Sequence, residues 1–214
     1  METVMTLKEY YFWFKENWQK TGVIVSIFLT IYLVVIVLPK STVLFALLMS
    51  TPLYMLHEID EYIFPGGFAQ FMNKNIYKMD PETGLVDSTA IFWINMVIWS
   101  FFPLASLNAV AKADLTQAAW IPYFFIFQAV IHVILGIVGK RFFNPGMVSA
   151  WLVHVPWGIW TIWLLIRAGV IVNPYWNEYL RDGLSICFYM VIAGVILYIR
   201  HKFKRPNQRI KLTG

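Results

Sequence analysis

The side chains of this chain that are best suited to chemistry are concentrated in residues 56–68, LHEIDEYIFPGGF. This stretch holds one histidine and three acids, His57, Glu58, Asp60 and Glu61, at the end of a long apolar run. Positions i, i+3 and i+4 share one face of an α-helix, so a helix would place His57, Asp60 and Glu61 together. Glu58 would be turned about 100° away from His57.

These residue types suit three kinds of role. Imidazole nitrogens and carboxylate oxygens bind zinc, iron or manganese, and an ion with an open coordination position activates water. The same groups suit metal-free acid/base chemistry, in which a carboxylate and a histidine move a proton on a lipid-like substrate. They could also pin helices together by pairing with Lys140, Arg141 or each other. The sequence leaves all three interpretations open.

Further polar residues lie in other apolar stretches, at a depth that we expect to be similar. Asn95, His132 and His154 each stand about half-way along such a stretch or nearer its predicted cytoplasmic end. We therefore predict a divalent metal site from the set His57, Asp60, Glu61, His132 and His154.

The remaining site predictions concern catalysis and substrate binding. The predicted catalytic residues are Glu61, Glu58 and Asp60, with Glu61 acting as a metal ligand or general base. The predicted substrate-binding residues are Arg141, Asn144 and Asn95. Arg141 and the positive end of a helix that starts after Asn144 would receive an anionic headgroup.

The amino-acid composition indicates that these residues lie in a membrane protein. Of 214 residues, 59% are hydrophobic and 14% charged, a balance that a soluble core with a polar surface does not accommodate. About 20 mainly apolar residues span a bilayer. Six stretches qualify, at residues 22–38, 42–64, 88–107, 118–138, 147–166 and 183–199. The sequence predicts an all-α, polytopic transmembrane bundle of about six spans.

The cationic residues predict the orientation and the domains. Of 17 Lys and Arg, thirteen fall on the side of both termini and four on the other, which places both termini in the cytoplasm. Residues 1–21, rich in aromatics, are predicted to be an amphipathic interfacial segment and residues 22–199 the six-helix domain. Residues 200–214 form a basic cytoplasmic tail. Such a tail fits anionic lipid headgroups and accounts for the net charge of +5 without nucleic acid.

The segment His57-Glu58-Ile59-Asp60-Glu61 resembles the signature of the HXXEE family of prokaryotic integral membrane proteins. The YIFPGGF segment that follows it, and RFFNPGMVSA after His132, are similar to other segments of that family. The resemblance covers roughly residues 52–156 and implies a multi-pass protein of the prokaryotic cytoplasmic membrane. Asp60 stands where the family has Glu, which shortens the side chain by one methylene. The family implies no activity.

These observations lead to one main hypothesis and two alternatives. The chain is predicted to be an enzyme, such as a metal-dependent hydrolase or isomerase, that acts on a lipid-soluble substrate among membrane lipids. A transporter or lipid-binding protein would use the same cluster for a proton or cation, and a structural or accessory subunit would use it to lock helices. An enzyme predicts a closed-ended cavity opening to the cytoplasm or inner leaflet. A transporter predicts a path that continues outward past Asn108.

Overall fold

A computed structural model describes residues 5–204, and within that range the chain is helical with no strand. The α-helices are α1 Leu7–Tyr32, α2 Thr42–Tyr62, α3 Phe68–Phe71, α4 Ser88–Ala111, α5 Ile121–Val138, α6 Met147–Ser149, α7 Val155–Arg167 and α8 Glu178–Lys204. Five-residue π-helical segments follow α1, α3 and α6, at Leu33–Val37, Met72–Ile76 and Ala150–His154, and a 3-10 turn at Leu115–Ala118 precedes α5. From residue 205 onward the predicted basic tail lies outside the described residues.

Six helical segments of the described chain are long and apolar enough to cross a membrane. They are Leu7–Val37, Thr42–Tyr62, Ser88–Ala111, Leu115–Val138, Met147–Arg167 and Glu178–Arg200. Large apolar side chains face outward from them, among them Phe28, Val35 and Ile137. This confirms the predicted all-α bundle of six spans and indicates a multi-pass membrane protein. The cytoplasmic location of both termini stays a prediction.

The first helix is longer than its apolar stretch. It begins at Leu7 because Thr6 and Glu9 form a capping box, in which Thr6 Oγ1 accepts from the Glu9 N–H and Glu9 Oε2 accepts from the Thr6 N–H at 2.7 Å. The helix then passes Gly22 without a break. Backbone hydrogen bonds do not require apolar side chains, so hydropathy alone could not locate this helix start.

Helix α2 is central and buried over most of its length, and it packs against α1, α4, α5 and α7. Beside its middle, aromatic side chains from three helices fill the interior. Tyr54 lies 5.3 Å from Phe102 and 6.1 Å from Phe124, measured between ring centroids, and Phe102 lies 5.6 Å from Phe125. Each of these four side chains is at most 1% exposed. They form a closely packed core just beyond His57, on the side toward the start of α2.

A cavity of about 550 Å³ lies on the side of this core toward the end of α2, and it is bordered by α2, α4, α5 and α8. Helix α8 approaches α5 closely near Gly183, where an added Cβ would lie 2.9 Å from Trp120 O. The later part of α8, around Val195 and Tyr198, instead lines the cavity. The loop after α3 also contributes, and Asn73 holds it in place through hydrogen bonds with Pro81 O and both backbone groups of Val86.

Candidate functional site

The centre of the site is one carboxylate between two histidines. Glu61 Oε1 lies 3.5 Å from Nε2 of His57, four residues earlier on α2, and 3.3 Å from Nε2 of His132 on α5. All three side chains are at most 4% exposed. One ligand atom from each lies within 4.8 Å of the others, so this buried group could hold a metal ion.

The second ring nitrogen of His57 is oriented by a serine and an aspartate. His57 Nδ1 lies 2.7 Å from Ser149 Oγ, and Ser149 donates both its hydroxyl and its backbone N–H to Asp60 Oδ2, each at 2.9 Å. Because a carboxylate can only accept, the single hydroxyl proton is directed to Asp60. His57 Nδ1 is then the donor to Ser149, and its Nε2 faces Glu61.

The second ring nitrogen of His132 is oriented by an asparagine. Asn144 Nδ2 donates to His132 O at 2.9 Å and to Phe142 O at 3.5 Å, which fixes the direction of the amide. Its Oδ1 therefore accepts from His132 Nδ1 at 2.9 Å. His132 Nε2, like that of His57, faces Glu61, and each of these atoms carries a lone pair there when its ring is neutral.

The two histidine Nε2 atoms and the Glu61 carboxylate are arranged as ligands of a cation would be. Both Nε2 atoms are buried and have no hydrogen-bond partner in residues 5–204. Two lone pairs and a carboxylate oxygen repel one another unless a positive charge lies between them, either a proton shared with Glu61 or a metal ion. In a tetrahedral site with bonds of 2.0–2.1 Å, neighbouring ligand atoms are about 3.4 Å apart, close to the two separations from Glu61 Oε1, 3.3 and 3.5 Å. Histidines whose other nitrogen donates to an oxygen are typical metal ligands.

The connection between α5 and α6 closes tightly over this cluster at Gly146. Its φ is +89°, a backbone conformation that favours glycine. A Cβ added there would lie 2.7 Å from Glu61 Cγ and 2.4 Å from His132 Cε1. Sequence reasoning missed both Gly146 and Ser149 as site residues. The Asn-Pro-Gly run was a signal for the first, and nothing in the sequence pointed to the second.

Two of the predicted acids have other surroundings. Asp60 bonds to Ser149, as described above, and is not one of the three clustered ligands. Glu58 is 1% exposed on another face of α2, where Trp99 Nε1 donates to its Oε2 at 2.7 Å. Its Oε1 has no partner in the described part of the chain. Glu58 is therefore separate from the carboxylate that faces the histidines.

The other predicted residues fall into three groups. His154 is fully buried near the cluster, with its ring centroid 4.4 Å from that of His57, but it is not among the three clustered ligands. Asn95 joins two tyrosines, accepting from the Tyr54 hydroxyl and donating to that of Tyr62. Arg141 is exposed and does not line the cavity, and the amide of Asn144 is engaged with His132.

Glu61 and His132 connect the cluster to the cavity, because both residues line it. Most of the other lining side chains are apolar or aromatic. Ile134 on α5 and Val195 and Tyr198 on α8 line the cavity and are also 47–53% exposed on the outside of the bundle. The cavity therefore reaches the lipid-facing surface between α5 and α8.

Comparison with known proteins identifies a family and no further relative. The family model described as "Protein of unknown function with HXXEE motif" matches residues 48–161, more than half of the chain. This match includes α5 and all the residues of the histidine and glutamate cluster. No curated protein and no solved structure matches the chain significantly. The chain belongs to the HXXEE family of proteins of unknown function.

Proposed function

We propose that this protein is a membrane-embedded, metal-dependent enzyme that acts on a lipid-soluble substrate. The observation that carries the proposal is the pair of unpartnered Nε2 atoms of His57 and His132, both directed at Glu61 on the surface of an apolar cavity. Such a buried group of acceptors is costly unless a cation completes it.

Three side chains would hold the ion, and neighbouring groups keep them in position. His57, Glu61 and His132 are the ligands, and zinc, iron and manganese all accept this donor set. When bound, the ion would act as a Lewis acid that activates water or polarises a substrate oxygen, as in a hydrolase or an isomerase. Ser149 and Asn144 bind Nδ1 of the two histidines, which leaves Nε2 of both rings facing Glu61.

The cavity supports a substrate that dissolves in the membrane. Its lining is mainly apolar, and it opens between α5 and α8, so a lipid-like molecule could enter laterally from the bilayer. If both termini face the cytoplasm, as the distribution of Lys and Arg predicts, the site lies in the inner half of the membrane. We place the protein in the prokaryotic cytoplasmic membrane, in contact with membrane lipids.

Transport is the second candidate function, and the packing disfavours it. A continuous path from the cavity to the far side of the membrane would have to pass the aromatic core around Tyr54 and Phe124, both at most 1% exposed. A separate, shallow surface depression at Asn108 lies beyond this core. A protein that only locked helices would not need two unpartnered histidine nitrogens beside a cavity of this size.

The test is metal content, measured by mass spectrometry on protein purified in detergent without chelator. We expect near-stoichiometric metal in the wild type and its loss in His57→Ala and Glu61→Ala. Glu58→Gln is the matched control, because it changes a carboxylate of the same helix that is equally buried but lies on another face. A metal-free wild type, or equal metal in all four proteins, would overturn the proposal.

A substrate screen follows from that result. The metal-loaded protein, in nanodiscs, would be incubated with lipid extracts and compared with His57→Ala by mass spectrometry. Product formed only by the metal-loaded wild type would support an enzyme. Vectorial movement of a lipid or ion in proteoliposomes, without chemical change, would support the transporter instead.

A further inference from the structure

The amide oxygen of Gln128 is buried beside the site without a partner. Gln128 lies four residues before His132 on α5, so the two side chains share one face of the helix. It is 2% exposed, and its Oε1 has no hydrogen bond to any described residue. Buried polar atoms are nearly always paired, so this oxygen calls for a partner from outside the chain.

Gln128 lines the cavity, although its Oε1 is almost completely covered, so a ligand in the cavity would meet this oxygen once the amide turns about its last side-chain bond. The other lining amide is already engaged. Asn95 Oδ1 accepts from the Tyr54 hydroxyl, and its Nδ2 donates to the Tyr62 hydroxyl and to Ile91 O. Among the described residues that line the cavity, the Gln128 oxygen is thus the amide acceptor left for a ligand.

The charges around the cavity define what kind of ligand fits. None of the described residues that line it is Lys or Arg, while Glu61 is present. An anionic headgroup would therefore meet a carboxylate and no cationic side chain. A neutral group that donates a hydrogen bond would instead satisfy the Gln128 oxygen without bringing a second negative charge near Glu61.

We propose that Gln128 binds the hydroxyl group of a neutral, long-chain alcohol whose apolar body fills the cavity and leaves between α5 and α8. Residues four apart on a helix differ by about 6 Å in height, so a hydroxyl at Gln128 places the next few bonds of the molecule beside Glu61 and His132. That this molecule is the substrate rests on the proposed function, whereas its binding does not.

Two probes that differ in one hydrogen-bond donor test the assignment. The full-length protein in detergent is titrated with 1-tetradecanol and with its methyl ether, and bound ligand is counted by native mass spectrometry. Both have the same chain and one oxygen, but only the alcohol donates. We expect the alcohol to bind the wild type at least about tenfold more tightly, as expected for a donor to an unpaired buried acceptor.

Glutamine variants test whether Gln128 causes the preference for the alcohol. Gln128→Leu should bind both probes within about twofold of each other and bind the ether as the wild type does. Gln70→Leu, which changes an exposed glutamine, should keep the wild-type preference. Gln128→Met serves the same purpose if leucine impairs folding, which size-exclusion chromatography would reveal.

Every outcome decides the inference. Equal affinity of the wild type for both probes, no binding of either, or a preference that survives at Gln128→Leu would overturn it. Metal content of the same samples separates the two proposals. A metal-free protein that still prefers the alcohol through Gln128 would refute the metalloenzyme and uphold the alcohol site, whereas a metal-loaded protein without the preference would do the reverse.

Discussion

Replacing Gly146 with alanine should disturb the metal site without changing any ligand. The new Cβ would lie 2.4 Å from His132 Cε1 and 2.7 Å from Glu61 Cγ. Carbon atoms in contact are normally at least about 3.5 Å apart, so His132, Glu61 or the loop must move by about 1 Å. His132 is held through Nδ1 by Asn144 and cannot simply rotate away.

Two energetic effects are expected, and a second glycine separates them. Alanine in a left-handed conformation costs about 1–2 kcal/mol of unfolding free energy wherever it occurs. Overpacking against the buried ligands adds about 1–3 kcal/mol, and displaced ligands should weaken metal binding by about 10- to 100-fold. Gly169→Ala isolates the first effect, because Gly169 has a φ of +72° and nothing within 4 Å of an added Cβ.

The assay compares the two variants with the wild type in the same detergent. Thermal unfolding reports stability, and competition with a chromogenic chelator reports zinc affinity. We expect Gly169→Ala to lose only the backbone contribution and to bind zinc as the wild type does. Equal stability of the two variants, or wild-type zinc affinity in Gly146→Ala, would refute the geometry on which the site is argued.

Three further predictions concern groups around the site and in the loops. Ser149→Ala removes the hydroxyl between a histidine ligand and its supporting aspartate and should weaken zinc binding by about 10- to 100-fold in the same competition; Ser185→Ala, which removes an exposed hydroxyl, should not. Trp99→Phe removes the one donor that the described residues offer to the buried Glu58 carboxylate and should cost about 1–3 kcal/mol in thermal unfolding, yet leave metal content unchanged; lost metal would contradict the separation of Glu58 from the histidine and glutamate cluster. The backbone N–H of Thr83 holds the pKa of Asp80 below its usual range. This carboxylate therefore stabilises its turn above the unfolded pKa of about 4 and ceases to do so as pH falls through the lower folded value. Hydrogen exchange of the Thr83 amide, corrected for its intrinsic pH dependence, should speed up below about pH 4, and no such change is expected in Asp80→Ala.

The sequence predicted the helices well where their ends coincide with changes in polarity. The predicted starts at residues 42, 88 and 147 are those of α2, α4 and α6. Ser41 and Asp87 cap the first two, so the start of the apolar run and the start of the helix agree. The ends of α1 and α8 could not be predicted in this way, because both helices continue through charged and aromatic residues at the membrane surface.

The site was predictable only as far as helical spacing determines it. The i, i+4 relation of His57 and Glu61 follows from one helix, and the depth of His132 in its own span predicted that it could join them, which is where the structure places it. Which of the remaining polar residues join the cluster depends on how α2, α5 and α6 pack, and spacing within one helix contains no such information. The roles of Ser149 as a hydrogen-bond bridge and Gln128 as an unpartnered amide could therefore emerge only from the packed structure.

The hydrogen bonds by which Ser149 joins α2 to the segment after α5 also have a consequence for biogenesis. Ser149 bonds to His57 and Asp60, which precede it by 92 and 89 residues. During synthesis on the ribosome, the second span is thus complete well before its hydrogen-bond partner has been made. Its histidine and acids must first meet the bilayer without that partner. The third ligand, His132, arrives only with the fourth span, and the Ser149 support of His57 only after the fifth span has docked. If the proposed metal binds, its loading is therefore a late event in the maturation of this protein, after most of the chain has been inserted.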